Sequence, residues 1–451
     1  MPFISLVIAG FTPIPFFPFK FMVYASKYSI RKYLAAVTVG RFPRYFLLAY
    51  AGFKLQIPNW IIFASFAAMV LTVYYRKIFG WLALPFRILY RSVNGKPVET
   101  QDVMLKNITL PLALRVTART LKNMIAKKPI CIALEVTHNC TANCRHCDKG
   151  PRVDDNAVGA EKYRAICQDI SPSVIQIAGG EPLLRPDLAA IVRAIYNPGR
   201  PPLLAIVTNG SLLTKDRYWE LKRAGIWQFS ISLDFPDNRH DQFRRIPGLF
   251  DHLDRLVPEL LSCGNGDIML NTCITRANYQ YLPDIVRKVD AWGAKINFSA
   301  YTDLRTHDPQ YNLRHPEDTS KFKAIVDEIY SAPDDYACVM TPERVMRRFG
   351  AFYENDCNIP GCQTGRRFLI VNPDGRLTPC AMFIDERYDS VRELVENFAD
   401  KTDCGGCYIA IRANTDKGPW RLLADNMRIV RRTLQSMNHH GVEKPVETIA
   451  R

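Results

Sequence analysis

The first 98 residues of the chain contain no aspartate and no glutamate. The same stretch carries lysines and arginines from Lys20 to Lys96 and is rich in aromatic side chains. This imbalance contributes to the formal net charge of +15 over 451 residues. A basic, aromatic and acid-free segment is typical of contact with a membrane surface. No nucleic-acid-binding module accompanies it, so a nucleic-acid partner is not expected.

A signal-peptide cleavage pattern is also lacking, because the first apolar stretch has no basic start and continues into further apolar sequence. The cysteines number thirteen, an odd total, and several are clustered at the spacings of metal ligands. Such clusters indicate metal binding rather than disulfides. Other cysteines lack this spacing and are expected to be buried free thiols: Cys131, Cys167, Cys263, Cys273 and Cys338.

Residues 57–75 carry no charged side chain and predict a transmembrane helix. Such a helix would be about 28 Å long, close to the hydrocarbon thickness of a bilayer. Trp60 and Tyr74 are placed as interfacial aromatics, and Arg76 follows at the end expected in the cytoplasm. We therefore expect residues 1–96 to form a membrane region in the cell membrane, with the remaining chain on the cytoplasmic side. A buried core helix is the alternative.

Two arginines, Arg41 and Arg44, interrupt the apolar stretch 34–53. At mid-membrane each would cost about 2.5–3.5 kcal/mol, so they are expected to face protein, water or an anionic headgroup. Three runs resemble the C-terminal half of the SNARE-associated Golgi-protein (VTT or DedA-type) membrane family: Pro-Ile-Pro-Phe-Phe-Pro-Phe-Lys at 13–20, Gly-Arg-Phe-Pro-Arg at 40–44 and Ala-Gly at 51–52. Simple anchoring to anionic lipid is the alternative for the arginine pair.

Three cysteines, Cys140, Cys144 and Cys147, lie within eight residues directly after an apolar run that predicts a buried strand. Spaced in this way, they can hold three irons of a cube-shaped iron–sulfur cluster and leave the fourth iron open. A structural cluster has four thiolate ligands, so three thiols indicate chemistry at the open iron. A zinc site with His138 or His146 as fourth ligand is the alternative.

A second motif, Gly-Gly-Glu-Pro at 179–182, ends the next apolar strand. Glycines at a strand tip let a ligand approach the backbone closely, and Glu181 can receive a cationic amino group. The cysteine loop and this motif, in this order, resemble the radical S-adenosylmethionine (radical SAM) superfamily. The resemblance implies that the three cysteines hold a [4Fe-4S] cluster whose open iron takes the amino and carboxylate groups of S-adenosylmethionine. It also implies contacts with the methionine part of that cofactor from Gly179, Gly180 and Glu181.

Beyond residue 129, short apolar strands alternate with helical stretches. Strands are predicted at 130–137, 174–178, 203–208, 229–234, 269–275 and 295–300. Helices between them are predicted at 187–196, 215–224 and 249–261. Repeated βα units of this kind predict an α/β fold with a parallel sheet and a ligand beyond the carboxyl ends of the strands. The resemblance implies a partial, open (β/α)6 barrel, with the radical SAM core at 129–305.

Polar residues follow several of these strands. By the resemblance, Asn209, Ser232 and Asp234 line up with positions that contact the methionine and ribose parts of S-adenosylmethionine. Serine and aspartate suit ribose because both pair with hydroxyl groups. A turn or cap role is the alternative for each residue.

The C-terminal part carries a third group of thiols: Cys357, Cys362, Cys380, Cys404 and Cys407. Asn-Pro-Asp-Gly at 372–375 predicts a hairpin that brings Cys362 and Cys380 towards each other. Five thiols for four ligand positions leave one spare, whose identity stays open. The group resembles the shortened SPASM, or twitch, extension of radical enzymes, which implies a second [4Fe-4S] cluster within 351–412. Zinc is the competing interpretation.

The remaining segments have no motif of their own. Residues 97–128 form a basic, partly amphipathic linker, and residues 306–350 form a helical connector. Residues 413–451 contain a basic amphipathic helix and a tail, whose arginines could touch the membrane surface. A solvated face is the alternative for that helix.

These features together predict a membrane-anchored radical SAM enzyme. The resemblance implies reductive cleavage of S-adenosylmethionine to a 5′-deoxyadenosyl radical, hydrogen abstraction from a substrate, and a flavodoxin- or ferredoxin-like electron donor. The membrane tether favours a lipid-like or membrane-borne substrate. A SPASM-type peptide or protein maturase is the alternative among enzymes. A non-catalytic lipid transporter or iron–sulfur sensor is the alternative from another class. No catalytic side chain is identified from the sequence.

Overall fold

The structure, a computed structural model, describes residues 29–55, 110–150, 155–263, 266–332, 336–418 and 421. The predicted transmembrane helix at 57–75 and the tail from residue 422 onward lie outside the described residues. The chain divides into two units, Met1–Val98 and Glu99–Arg451.

One long helix, α1 (Ile30–Leu55), is described in the first unit. It continues through Pro43 and exposes several large apolar side chains, among them Phe42, Tyr45 and Phe46. Within the described residues, no helix has both the length and the apolar character needed to cross a bilayer.

The second unit is built on one eight-stranded sheet with the order β6-β5-β4-β3-β2-β1-β7-β8. The strands are β1 (Cys131–Thr137), β2 (Val174–Gly179), β3 (Leu203–Thr208), β4 (Gln228–Ser232), β5 (Ile268–Ile274), β6 (Lys295–Ala300), β7 (Phe368–Val371) and β8 (Leu377–Thr378). Strands β1 to β6 pair in parallel with their neighbours in chain order. The predicted parallel, barrel-like α/β sheet is therefore confirmed, and its six predicted strands begin and end within two residues of the observed ones.

Helices connect the strands, and several of them pack on the apolar face of the sheet. They are α2 (Leu110–Ile125), α3 (Ala160–Ile170), α4 (Leu188–Ile195), α5 (Lys215–Ala224), α6 (Arg239–Arg244), α7 (Leu249–Ser262), α8 (Leu282–Ala291), α9 (Pro316–Ser331), α10 (Glu343–Glu354), α11 (Val391–Leu394) and α12 (Ala410–Thr415). The predicted helices correspond to α4, α5 and α7.

The two faces of the sheet differ in polarity. In β6, Ile296 and Phe298 are buried in the main hydrophobic core, whereas Lys295, Asn297 and Ser299 are half-buried on the opposite face. Alternation of this kind follows from the two-residue repeat of a strand. The apolar face packs on the helices, and the polar face lines the inside of the partial barrel.

The predicted C-terminal hairpin forms β7 and β8, which pair antiparallel. Strand β7 also pairs in parallel with β1 over Cys131–Leu134 and Phe368–Val371. The segment predicted as a small extension therefore contributes strands to the core sheet, directly beside the strand that leads into the three-cysteine loop.

Candidate functional site

The loop after β1 carries Cys140, Cys144 and Cys147 at the carboxyl edge of the sheet. The pKa of Cys144 is raised to about 12, mainly by burial, and negative charge on the other two thiols adds to the shift. The backbone N–H of Ala142 donates to Cys140 Sγ at 3.4 Å, and the N–H of Lys149 donates to Cys147 Sγ at 3.5 Å. Amide donors of this kind stabilise thiolates, the form that binds metal.

Arg244, at the end of α6, faces this loop, although no motif in the sequence marks it. Its side chain is buried, and its Nη1 lies 4.0 Å from Cys144 Sγ. Its backbone carbonyl accepts the N–H of Asn143 at 3.3 Å, which holds the loop against α6. The guanidinium opposes the rise in the pKa of both Cys140 and Cys144. A fixed cation beside three thiols fits an anionic cluster at this position.

Asp234 pairs with Arg244 rather than standing free for a ribose. Its Oδ2 accepts from Arg244 Nε at 2.8 Å and its Oδ1 accepts from the backbone N–H of Cys273 at 3.1 Å. The carboxylate is fully buried, and burial acts to raise its pKa, but Arg244 and nearby histidines lower the pKa overall. Its observed contacts orient Arg244, and the predicted ribose contact stays a prediction.

The carboxylate of Glu181 binds the protein itself. It is fully buried and accepts from Thr208 Oγ1 at 2.7 Å, from the N–H of Asn209 at 2.8 Å and from the N–H of Leu183 at 3.1 Å. These contacts join the ends of β2 and β3. A contact of this residue with the methionine part of S-adenosylmethionine stays a prediction.

The two glycines of the motif allow β2 to approach the cysteine loop. The N–H of Gly180 donates to Thr137 O at 2.8 Å, and the N–H of Glu181 donates to Asn139 O at 2.8 Å. A Cβ at Gly179 would lie 2.1 Å from Thr137 O, and one at Gly180 would lie 2.1 Å from Asn139 O. The space that a glycine leaves beside the strand tip is therefore filled by the backbone of residues 137–139.

The other predicted cofactor contacts lie at the same edge of the sheet. Asn209 Nδ2 donates to Thr141 Oγ1 at 2.9 Å and lies 3.8 Å from Cys140 Sγ, so its side chain contacts the cysteine loop. Ser232 ends β4, where it pairs in register with Asn271 of β5.

A second buried charged group lies beside the loop, and the sequence suggested a role only for its member His138, as an alternative zinc ligand. Lys149 Nζ donates to Glu135 Oε2 at 2.8 Å, and His138 Nε2 lies 2.9 Å from the same oxygen. Arg305 Nε lies 2.5 Å from Asp148 Oδ1. Glu135 is visible in the sequence only as a polar residue in an otherwise apolar strand.

Four of the five C-terminal thiols lie close enough for the charge of one to change the pKa of another. The pKa of Cys362 is raised to about 12, mainly by burial and also by Cys407. Burial raises the pKa of Cys380, with Cys407 and Cys362 adding to it, and Cys404 adds to the rise at Cys407. The N–H of Cys362 donates to Cys404 O at 3.4 Å. These four thiols thus form one group.

Cys357 has different neighbours. Its Sγ accepts from Arg314 Nε at 3.5 Å, and the charges that act on it most strongly are those of Arg314, Asp303 and Asp356. We therefore expect Cys357 to be the spare thiol of the five.

Metal analysis of single variants tests this assignment. The reconstituted wild-type chain is expected to hold about eight irons, Cys380→Ala about four, and Cys357→Ala about eight, because only the first variant loses a cluster ligand. Loss of iron in Cys357→Ala together with full iron in Cys404→Ala would contradict the grouping.

The described side chains do not converge on a single ion. In the part of the chain that the structure describes, no three His, Cys, Asp or Glu side chains stand close enough to hold one metal ion between them. The donor sets themselves are three thiols and four thiols, which fit one cluster with an open iron and one cluster with full thiolate ligation. The cysteines expected to lack a metal role are free, with Cys131, Cys167 and Cys338 buried and Cys263 and Cys273 half-buried.

Residues 134–289 match the family model of the radical SAM superfamily. The match includes the three-cysteine loop, the Gly-Gly-Glu-Pro motif and Arg244. Residues 134–289 are therefore similar to the radical SAM superfamily, whose members use a [4Fe-4S] cluster and S-adenosylmethionine. The VTT or DedA-type resemblance of residues 13–52 gains no support from this match or from the relatives below.

The AdoMet-dependent heme synthase of Oleidesulfovibrio alaskensis is 30% identical over 209 residues, which are 45% of this chain and 51% of that protein. The mycofactocin maturase MftC of Mycobacterium ulcerans is 24% identical over 289 residues, 60% of this chain and 74% of the relative. The chain thus spans about half the length of the heme synthase it matches. Among solved structures, Streptococcus suis SuiB bound to precursor peptide SuiA aligns with a TM-score of 0.49 at 15% identity, covering 74% of this chain and 76% of that chain.

Proposed function

We propose that this chain uses S-adenosylmethionine to abstract a hydrogen atom from a lipid-like or membrane-borne substrate at the cytoplasmic face of the cell membrane. One observation carries the chemistry: the three-cysteine loop, the Gly179–Glu181 tip and Arg244 meet at one edge of the sheet. When bound and reduced, the cluster supplies the electron that cleaves S-adenosylmethionine to a 5′-deoxyadenosyl radical. A flavodoxin- or ferredoxin-like protein is the expected source of that electron.

The chain's own residues supply binding and orientation. Cys140, Cys144 and Cys147 would hold the cluster, and Arg244 would place a positive charge beside it. The backbone at Gly180 fixes the loop to the sheet through its hydrogen bond to Thr137. The four grouped C-terminal thiols would hold the second cluster.

The membrane part of the proposal depends on the N-terminal region. That region is basic and free of acidic residues, and α1 exposes aromatic side chains. We expect the full chain to sediment with vesicles that contain anionic phospholipid, and a variant that lacks residues 1–98 to remain in the supernatant. Equal sedimentation of the two proteins would show that residues 1–98 are not a membrane tether. The reason for expecting a membrane-borne substrate would then be lost.

A peptide or protein maturase is the second candidate. A maturase is among the relatives, at 24% identity over 60% of this chain. A protein that modified a peptide would turn over with no lipid present, whereas the first proposal requires a membrane-borne substrate.

Anaerobic reconstitution tests the enzyme itself. The reduced wild-type chain with S-adenosylmethionine is expected to form 5′-deoxyadenosine, and Cys144→Ala is expected to form none, because one iron would lose its ligand. Cys263→Ala is the matched control, since that half-buried thiol donates to the carbonyl of Glu259, one helix turn earlier, at 3.6 Å. The absence of 5′-deoxyadenosine from the wild type, with full iron content, would favour a non-catalytic iron–sulfur sensor.

A further inference from the structure

Arg412, in the first turn of α12, has a fully buried side chain that contacts the backbone of Cys407, one of the four grouped thiols. Its Nη2 donates to Ile359 O at 2.6 Å, and its Nη1 donates to Cys407 O. Its Nε donates to Asp416 Oδ2 at 3.0 Å. One side chain therefore ties together the segment before Cys362, the backbone of Cys407 and helix α12.

A carboxylate faces this guanidinium, because Arg412 Nε donates to Asp416 Oδ2. A buried arginine needs nearby negative charge, since water no longer stabilises it. The same guanidinium donates to the backbone carbonyl of Cys407, so it lies beside a residue of the four-thiol group. Thiolates of a cluster bound there would add their negative charge to that of Asp416.

We infer that Arg412 is a positioning residue of the second cluster, which fixes the ligand-bearing segments and raises the reduction potential of that cluster by its positive charge. The inference rests on the proposed second cluster and goes beyond it, because it assigns a side chain that controls its redox behaviour. A cation close to the irons stabilises the reduced state, which carries one more negative charge. Asp416 acts in the opposite sense, since its carboxylate offsets part of that cation.

The two side chains therefore predict opposite effects on the potential. Arg412→Met removes the cation and is expected to make the potential more negative. Asp416→Asn leaves the cation with less compensation and is expected to make the potential more positive. Arg412→Lys keeps the charge and is expected to stay close to the parent. If Arg412 had a purely structural role, the variants would instead lose iron, and the shifts in reduction potential would have no consistent sign.

The experiment uses the full chain with Cys140, Cys144 and Cys147 all replaced by alanine, so that only the second cluster is observed. Iron content and a potentiometric titration at pH 8, followed by electron paramagnetic resonance, are measured for the parent and each variant. At the potential where the parent is half reduced, Arg412→Met is expected to raise the ratio of oxidised to reduced cluster at least tenfold, which corresponds to about 59 mV for one electron. Arg366→Met is the control, because Arg366 pairs with Asp400 in the same segment and is partly exposed.

Opposite shifts for Arg412→Met and Asp416→Asn support the inference. Shifts of the same sign, or no shift with iron retained, overturn it. Should Arg412→Met fail to retain iron, the Asp416→Asn variant is compared with Arg412→Lys. A more positive potential in Asp416→Asn then supports the inference, and a more negative or unchanged potential overturns it. A parent without iron would overturn both the second cluster and this inference, whereas a parent with iron but no shifts overturns the inference alone.

Discussion

Replacing Gly180 by alanine is expected to destabilise the protein by about 3 kcal/mol or more and to prevent retention of the radical SAM cluster. The added Cβ would lie 2.1 Å from Asn139 O and 2.6 Å from His138 O. Both contacts are with backbone, so no side-chain movement relieves them, and overpacking typically costs about 1–3 kcal/mol even where neighbours can adjust. Urea unfolding of the cluster-free chain and iron analysis of the reconstituted chain measure the two effects.

Gly159→Ala provides the matched control. A Cβ at Gly159 meets nothing within 4 Å, and its φ of −83° suits any residue. Since Gly159 precedes α3 as its N-cap, alanine there is expected to cost no more than about 1 kcal/mol. If Gly180→Ala retained wild-type stability and iron, the close contact between β2 and the cysteine loop would be wrong.

Breaking the buried pair between Asp234 and Arg244 is the second large effect. Asp234→Asn leaves the Arg244 guanidinium without its carboxylate, and removal of one partner from a buried ion pair costs about 3–5 kcal/mol. Because Arg244 faces Cys144, the variant is also expected to lose cluster occupancy. The exposed pair of Arg287 and Asp284 is the control, and Asp284→Asn there is expected to change stability by about 0–1 kcal/mol.

A double-mutant cycle and a pH series make this result specific. Asp234→Asn with Arg244→Met should cost less than the sum of the single changes, because no charge is then left unpaired. The pKa of Asp234 lies below its ordinary value of 3.8, so its contribution is fully present above about pH 4 and is lost as the pH falls further. Additive single effects, or an unchanged acid limit of stability in Asp234→Asn, would show that the two side chains do not interact.

The parts of the fold that the sequence predicts are those with local signals. The strand at 203–208 and the helix at 215–224 match the observed β3 and α5 residue for residue, since apolar periodicity and the cap at Thr214 are contained in neighbouring residues. The pairing of β7 with β1 was not predicted, because its partners are more than 230 residues apart. Contacts of that separation leave no periodic pattern.

In the candidate site, too, the sequence predicts the features that have local signals and not the contacts between distant residues. The cysteine loop and the Gly-Gly-Glu-Pro motif are short runs that the sequence displays directly. Arg244 reaches Cys144 from 100 residues away, and the deep burial of Glu181 depends on Thr208 and Asn209 of the next strand. Residue type suggested a ligand contact for the carboxylates of Glu181 and Asp234, whereas tertiary packing gave both of them partners within the protein.

The parallel pairing of β7 with β1 also bears on how the protein tolerates truncation. A chain ending near residue 350 would lack β7, so the unpaired N–H and C=O groups of β1 would form a free sheet edge. Such an edge recruits other strands and promotes aggregation. Shortened versions designed to isolate the catalytic half should therefore be less soluble than the whole chain, and the two halves should unfold in one cooperative transition.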